Sequence, residues 1–330
     1  MSTTSKIRWG IVGPGKIAHG FCEDLLLVDD AEIYAVGSRS QERAQGFADK
    51  FGTSKAYGSY QEVFADPHVD IVYIATPHDS HCELSVAAMK SGKHVLCEKP
   101  IAINQRQAEQ MIATSKETGR FFMEAFWSRF NPSIQAALQR VENGEIGTVR
   151  YINADFSFYV DPATAGNRMF SPENGGGTLL DMGVYPVFLA YVVLGVPNRI
   201  LASGLFHEQG ADVQTSMIFE YDGARAVLHS SFASQSNMMA TISGEKARIN
   251  INPVWHETQS YSVLQNYDKR EAVYRHPTKG AGFYYEVLEC HKCIRKGEIE
   301  SAVWSHKNSL ELIGIVDEVR RTIGLSYPCE

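Results

Sequence analysis

The stretch KIRWGIVGPGKIA, residues 6–18, decides the fold class of this chain. Its first half, residues 6–12, is mostly apolar and indicates a strand of the type expected in a parallel sheet. Gly13, Gly15 and Ala18 then form a G-x-G-x-x-A pattern. In this pattern the first glycine permits a tight turn, the second lets backbone approach a pyrophosphate, and the alanine allows close packing of helix on strand. The sequence therefore predicts a strand, a turn and a helix from about Gly15 to Leu27.

The start of this helix is a predicted phosphate site, because a helix N-terminus offers unpaired N–H groups and partial positive charge. We expect Gly13, Gly15, Lys16 and Ile17 to contact a dinucleotide. The alternative is a simple glycine-rich turn between strand and helix.

The second predicted strand, residues 31–37, ends without the acidic residue that would bind a ribose 2′-hydroxyl. Ser38 and Arg39 follow it, and Arg43 lies one turn into the next helix. A guanidinium binds a 2′-phosphate bidentately, whereas a carboxylate repels it. This favours NADP over NAD, unless Arg39 only stacks on the adenine.

Strands and helices alternate up to residue 125. The predicted strands are 55–57, 70–75, 93–97 and 121–125, and the predicted helices are 41–51, 59–65, 82–91 and 104–119. Repeated βα units with short connections indicate a doubly wound parallel sheet. We predict a dinucleotide-binding domain over residues 1–125.

Two further strand ends carry candidate site residues. Thr76 and Pro77 should line the cofactor crevice at the carboxyl edge of the sheet. His81 either contacts the cofactor or caps the following helix. Pro100 disfavours helical backbone at Lys99, so Lys99 should leave its strand extended and reach the same edge. Taken alone, this Lys-Pro pair also fits an ordinary surface turn.

Residues 126–330 are predicted to form a second domain with a mostly antiparallel sheet. Predicted strands cover 149–159, 199–207, 214–221, 224–231, 239–243, 247–251, 261–267 and 270–274, and predicted helices cover 178–194, 283–296 and 305–323. The fold class is thus α/β plus α+β: a doubly wound parallel sheet followed by an open sheet with helices on one face.

The segment 175–186, GGGTLLDMGVYP, opens the first of these helices. Its glycines let backbone pass close to a ligand. Asp181 and Tyr185 are four residues apart and share one helical face. A nearby Lys99 ammonium would lower the pKa of the Tyr185 phenol and favour phenolate, which suits proton transfer between alcohol and carbonyl. The alternative is a buried structural tyrosine.

The composition is that of an ordinary globular chain. Of the 330 residues, 44% are hydrophobic and 21% are charged, and the net charge is −7 without a basic stripe. This argues against a nucleic-acid partner. No run approaches the roughly 18 apolar residues of a membrane helix, and no signal-peptide pattern begins the sequence. We expect no membrane partner and a cytoplasmic location.

The six cysteines are scattered and form no disulfide framework. Cys290 and Cys293 have no second cysteine pair to complete a tetrahedral metal site. We predict that both are small apolar positions on a buried helix face, and we predict no metal site.

The motifs together resemble the Gfo/Idh/MocA family of oxidoreductases. They occur in order: the glycine pattern, Ser38-Arg39, residues 76–81 (TPHDSH), Glu98-Lys99-Pro100, and the segment 175–186. Many members carry a histidine where this chain has Tyr185. That departure, with residues 123–130 (MEAFWSRF), resembles the branch of dimeric dihydrodiol dehydrogenases and NADP-linked D-xylose dehydrogenases.

The resemblance implies a Rossmann domain and an open-sheet domain through which two copies dimerise. It implies Lys99 and Tyr185 as the proton-handling pair, with Asp181 beside them. It adds Glu98, Trp127 and Arg129 as cofactor contacts. The implied aromatic walls of the substrate pocket are Trp127, Phe156, Phe158 and Trp255.

These expectations converge on an NADP-dependent oxidoreductase that acts on a cyclic polyol, either an aldose at its anomeric carbon or a trans-dihydrodiol. One alternative is an NAD-linked inositol-type enzyme or a sugar oxidoreductase with tightly bound cofactor. A non-enzymatic alternative is a cofactor-sensing regulatory protein on the same fold.

Overall fold

The computed structural model of the chain describes residues 5–163, 167–266 and 270–330. They divide into two compact units. The first contains the residues up to Ala102, with Arg106–Phe130 and Lys279–Leu310. The second contains Ile103–Gln105, Asn131–Thr278 and Glu311–Glu330.

A six-stranded parallel sheet forms the centre of the first unit, in the order β3-β2-β1-β4-β5-β6. Its strands are β1 (Ile7–Val12), β2 (Ala31–Gly37), β3 (Lys55–Tyr57), β4 (Ile71–Ile74), β5 (His94–Glu98) and β6 (Phe122–Ala125). This is the strand order of a doubly wound dinucleotide-binding sheet. The predicted Rossmann sheet is therefore confirmed.

The helices between these strands begin and end close to their predicted bounds. They are α1 (Lys16–Leu25), α2 (Gln41–Phe51), α3 (Tyr60–Ala65), α4 (His81–Lys90) and α5 (Gln105–Thr118). Local capping explains the well-predicted ends of α2: the Ser40 hydroxyl accepts the Arg43 N–H, and Gly52 ends the helix with φ +69°.

Helix α8 (Tyr284–Lys296) belongs to the first unit, although it lies far beyond residue 125. The Trp9 indole N–H donates to His291 Nε2 at 3.0 Å. The buried Asp24 carboxylate accepts the N–H groups of Ala281, Gly282 and Tyr284 at 2.8, 2.8 and 3.2 Å. The first compact unit therefore includes residues beyond position 125, so the two units do not correspond to one cut between residues 125 and 126. The predicted domain boundary at that cut stays a prediction. Helical periodicity shows which face is apolar but not which sheet it covers.

An eight-stranded sheet dominates the second unit, in the order β14-β13-β12-β11-β7-β10-β9-β8. Its strands are β7 (Val149–Ser157), β8 (Arg199–Phe206), β9 (Asp212–Tyr221), β10 (Ala224–Ser231), β11 (Ala240–Gly244), β12 (Ala247–Ile251), β13 (Ser260–Gln265) and β14 (Glu271–Arg275). Neighbours are antiparallel except β7 and β10, which run parallel. The predicted mostly antiparallel sheet is confirmed.

The two faces of this sheet differ in burial. On β7, Ile152, Ala154 and Phe156 are buried, whereas the alternating residues Tyr151 and Asn153 are exposed. Successive side chains of a strand point to opposite faces. One face of the sheet is therefore covered and the other is open.

The remaining helices are α6 (Pro132–Glu142), α7 (Val184–Leu194) and α9 (His306–Ile323). Within the described residues, one helical segment, Pro172–Leu194, is long and apolar enough to cross a membrane, with a mean hydropathy of 1.6. It is 78% buried inside the protein, as expected for a core helix that is apolar on all sides. The sequence analysis predicted a helix over residues 178–194 but found no apolar run of membrane length, because glycines and Asp181 interrupt the apolar residues of this one. The cytoplasmic location stays a prediction.

The buried-helix interpretation of Cys290 and Cys293 is confirmed. Both side chains are fully buried on α8, and both thiols are free. Burial raises the pKa of the Cys293 thiol to about 12, so the thiolate form is disfavoured.

Replacement of Asp24 tests the link between α8 and the first unit. We expect Asp24→Ala to lower the free energy of unfolding by about 2–4 kcal/mol, because three backbone N–H groups lose their shared acceptor. Urea unfolding measures this change. The exposed Asp29 provides the control, because Asp29→Ala should change stability by less than about 0.5 kcal/mol. Equal stability of the two variants would contradict the anchoring role of Asp24.

Candidate active site

The predicted cofactor residues lie at one edge of the six-stranded sheet. Because its strands are all parallel, the segments that follow their carboxyl ends meet at the same edge. These segments contain Gly13, Gly15, Lys16 and Ile17 after β1, Ser38, Arg39 and Arg43 after β2, Thr76, Pro77 and His81 after β4, Lys99 after Glu98 of β5, and Trp127 and Arg129 after β6.

The turn after β1 has room for glycine alone at its first position. Gly13 has φ +89°, and a Cβ atom there would lie 2.9 Å from Thr76 Cγ2 and 3.0 Å from the Ala75 carbonyl oxygen. At Gly15 a Cβ atom would meet nothing within 4 Å. Gly15 precedes α1 and offers no side-chain cap, so the first N–H groups of α1 can donate to an anion. This geometry fits the pyrophosphate of a dinucleotide.

The end of β2 combines a buried serine with exposed arginines. Ser38 is buried, and its hydroxyl accepts the Ser40 N–H at 3.2 Å. Arg39 and Arg43 are exposed, and within the part of the chain that the structure describes neither guanidinium forms an ion pair. Two exposed guanidiniums, one just before the Ser40 cap and one in the first turn of α2, can bind a phosphate at this end of the strand.

Two buried glutamates hold the backbone on either side of Pro100. Glu98 accepts the Tyr73 hydroxyl through Oε1 and the Lys99 N–H through Oε2, the latter at 3.1 Å. Glu124 accepts the Ile101 N–H at 2.8 Å. Burial and the Glu98 charge hold the pKa of Tyr73 well above its ordinary value, so Tyr73 stays a donor. The Lys99–Pro100 peptide is cis, and Lys99 itself is half-buried.

His81 connects two of the strand-end segments. Its imidazole is fully buried, with Nδ1 2.9 Å from the Pro100 carbonyl oxygen and Nε2 3.0 Å from the Thr76 carbonyl oxygen. These partners are acceptors and not helix N–H groups, so these two contacts do not cap α4. Both contacts are hydrogen bonds at the same time only when both ring nitrogens carry protons. Contact between His81 and a cofactor stays a prediction.

In the second unit, Asp181 and Tyr185 lie where a π-helical segment, Leu179–Gly183, leads into α7. The Val184 N–H donates to the Leu179 carbonyl, five residues back. The predicted helix is therefore present, but its first turn is wider than the α-helix assumed for the four-residue spacing. A Cβ atom on Gly183 would lie 2.8 Å from Ser230 Oγ. This confirms the close packing expected at Gly183.

The side chain of Tyr185 is buried in an aromatic cluster. Its ring centroid lies 5.4 Å from that of Phe156 and 5.1 Å from that of His256, and the Phe156 and His256 rings stack at 4.1 Å. Phe158 lies 6.1 Å from Phe156 and is half-buried. The sequence analysis missed His256, because nothing in its local pattern distinguishes it from other loop histidines.

The other predicted aromatic walls are Trp127 and Trp255. In the first unit, Trp127 stacks on Phe283 with ring centroids 4.8 Å apart. In the second unit, Trp255 is fully buried, and its indole N–H donates to the Asp155 carbonyl at 2.8 Å. Trp255 therefore packs in the core, and its neighbour His256 contacts the tyrosine.

Comparisons with known proteins agree with this geometry. Residues 7–126 match the model of the Gfo/Idh/MocA oxidoreductase family, described as an NAD-binding Rossmann fold. Residues 134–250 match the C-terminal domain of the same family. Among curated relatives, trans-1,2-dihydrobenzene-1,2-diol dehydrogenase of Xenopus tropicalis is 36% identical over 97% of this chain and 99% of its own length. The human protein of that name is 34% identical over 98% of both chains.

Solved structures show the same fold. KijD10, a 3-ketoreductase from Actinomadura kijaniata in complex with NADP and TDP-benzene, superposes with a TM-score of 0.87 at 26% identity, over 97% of this chain and 98% of that one. An aldose-aldose oxidoreductase from Caulobacter crescentus gives a TM-score of 0.85 at 24% identity, over 96% and 97% of the two chains. The predicted resemblance is confirmed, and this chain belongs to the Gfo/Idh/MocA family of oxidoreductases.

Proposed function

We propose that this chain is an NADP-dependent dehydrogenase that oxidises a hydroxyl carbon of a cyclic polyol, either an aldose at its anomeric carbon or a trans-dihydrodiol. The observation that carries the proposal is Tyr185, a buried phenol packed against Phe156 and His256. The dihydrodiol dehydrogenases, related over nearly their whole length, support the diol. The aldose-aldose oxidoreductase shares only the fold.

The proposed preference for NADP rests on the end of β2. Arg39 and Arg43 are exposed cations in the place where an NAD-binding chain carries a carboxylate. Bidentate hydrogen bonds from a guanidinium to a 2′-phosphate give affinity that NAD, which has a hydroxyl there, does not receive. The crystallised NADP complex of KijD10 supports the same preference.

In the proposed reaction Tyr185, as phenolate, takes the proton of the substrate hydroxyl. The carbonyl forms as the substrate C–H hydrogen departs with its electron pair. When bound, the nicotinamide supplies the hydride acceptor. The family resemblance implies Lys99 as the partner of Tyr185, and its ammonium would there favour the phenolate form electrostatically. Asp181 orients the substrate or Lys99.

The proposed substrate surface is aromatic. Phe156 and Phe158 lie beside the phenol in the second unit. The family resemblance implies Trp127, which stacks on Phe283 in the first unit, as a further aromatic residue for the substrate. Aromatic faces pack equally well against the apolar face of a sugar ring and against a dihydroarene. The proposal therefore covers both classes of ring. Trp255 is excluded from this surface because it packs in the core.

The open face of the eight-stranded sheet is the proposed dimer surface. Leu201, Ile218 and Val227 are direct cross-strand partners on β8, β9 and β10. Their exposed fractions are 38%, 41% and 36%. A contiguous apolar row of this kind marks an interaction surface. A second copy of the chain offers the same row, which suits a two-fold contact.

Replacement of Arg39 tests the 2′-phosphate site. We expect Arg39→Ala to raise the dissociation constant for NADP about ten- to hundred-fold, because charge-assisted hydrogen bonds are lost. The dissociation constant for NAD should stay within about two-fold. Fluorescence titration measures both. Lys90→Ala, at the far end of α4, should change neither constant, and equal weakening of both cofactors by Arg39→Ala would contradict the assignment.

Replacement of the two proton-handling residues tests the reaction. We expect Lys99→Ala and Tyr185→Phe to lower kcat at least about 100-fold, because general acid–base catalysis contributes this much. NADPH formation with a panel of aldoses and dihydrodiols measures turnover, and cofactor titration verifies binding. Tyr191→Phe is the control, because Tyr191 lies on the same helix and its hydroxyl donates to Glu311 at 2.6 Å. Near-normal turnover of either first variant would refute the mechanism.

A charge in the apolar row tests the dimer. Ile218→Asp should convert the dimer to a monomer, because burying an unpaired carboxylate in an interface is unfavourable. Light scattering after gel filtration gives the molecular mass. Leu26→Asp introduces the same charge on an exposed leucine of the first unit and should leave the mass unchanged. A monomeric unmodified protein would contradict this proposal.

A further inference from the structure

The helical segment that carries Asp181 and Tyr185 begins without a local cap. Thr178 precedes the π-helical segment but makes no capping hydrogen bond, and its hydroxyl is buried without a hydrogen-bond partner. The first N–H groups of a helix have no acceptor inside the helix. A distant residue supplies one of these acceptors: Asp212 Oδ2 accepts the Leu179 N–H at 2.9 Å.

Asp212 is the first residue of β9, and its side chain is completely buried. The Thr215 hydroxyl donates to the same oxygen, Oδ2, at 2.7 Å. The other oxygen, Oδ1, has no hydrogen-bond partner and abuts Gly177. Gly177 has φ +117°, and a Cβ atom there would clash with Oδ1. The glycine segment and the start of the helix therefore both fit around this one carboxyl group.

The charged neighbours of Asp212 do not neutralise it fully. Arg320 of α9 lowers the pKa of Asp212, but its guanidinium also forms ion pairs with Asp317, at 2.9 Å, and with Glu330. Tyr327 also faces the carboxyl group, and burial and the Asp212 charge hold the pKa of its phenol well above the ordinary value. Burial raises the pKa of Asp212 to about 6. Asp212 therefore changes its charge close to neutral pH.

We propose that Asp212 is a positioning residue for Tyr185: as a carboxylate it fixes the start of the helical segment, and its protonation loosens that hold. A charge-assisted hydrogen bond is about twice as strong as a neutral one. A negative charge at a helix N-terminus is favourable, and protonation removes it. Asp212 stabilises the start of the helical segment whichever reaction the protein catalyses. The effect of this stabilisation on turnover rests on the proposed function.

Hydrogen exchange measures how strongly Asp212 stabilises the start of the helical segment, and the measurement does not depend on catalytic activity. We expect backbone protection of residues 179–184, corrected for intrinsic exchange, to be lower at about pH 5 than at about pH 8, on either side of the titration of Asp212. Asp212→Asn carries no charge to titrate, so its protection should be the same at both pH values. Unchanged protection in the wild-type protein between the two pH values would overturn the proposal.

The pH profile of kcat measures the consequence for the reaction. The wild-type protein should lose turnover as the pH falls through about 6, where Asp212 gains its proton. Thr215→Val removes a hydrogen bond that favours the carboxylate, so this loss should begin at higher pH. Thr215→Ser keeps the hydroxyl and should restore the wild-type profile. Asp212→Asn should lower kcat about ten-fold at alkaline pH and remove the contribution of Asp212 to this limb, so that only protonation of the base Tyr185 still lowers kcat as the pH falls.

The outcomes separate the two proposals. If hydrogen exchange responds to pH but Thr215→Val does not shift the pH profile of kcat, the positioning role is overturned. If hydrogen exchange depends on pH as expected but Tyr185→Phe keeps normal turnover, the proposed reaction is wrong. The stabilisation of the helix start by Asp212 is then still supported. If Asp212→Asn does not fold, Thr215→Val and Thr215→Ser decide, because both retain the carboxylate.

Discussion

Glu98 and Glu124 are both buried, and desolvation of a carboxylate costs free energy unless hydrogen bonds offset it. Tyr73 and the Lys99 N–H supply such bonds to Glu98, and the Ile101 N–H and the Trp304 indole supply them to Glu124. Burial raises the pKa of Glu124 to about 6, and the bonds from Ser309, Trp304 and Ile101 act in the opposite direction. The backbone around Lys99 is therefore set by the interior of the sheet and not by local turn propensity. Every role proposed for Lys99 depends on this arrangement.

The six-stranded sheet and helices α1–α5 could be predicted well from the sequence because the information for them is local. The apolar run before Gly13, the serine cap of α2 and the glycine at its end each act within a few residues. The parallel order of the strands then follows from the alternation of strands and helices. Because parallel strands end at the same edge of a sheet, the location of the strand-end residues can be predicted without knowing any side-chain contact.

The features that the sequence did not predict depend on distant contacts. The π-helical turn contains Gly183, which packs closely against Ser230 of β10. The place of α8 depends on Trp9 and Asp24, which lie more than two hundred residues earlier in the chain. The neighbours Trp255 and His256 take different roles, core and aromatic cluster, because the loop turns between them. No periodic pattern in a single sequence contains this information.

The cap of α2 has a consequence for how such a chain evolves. Ser40 caps the helix through the backbone N–H of Arg43, and the side chains of Arg39 and Arg43 take no part in this cap. Their charges can therefore change by single substitutions while the cap and the strand end stay intact. On the proposed assignment of the 2′-phosphate site, selection can therefore act on ligand recognition at this position almost independently of selection for stability.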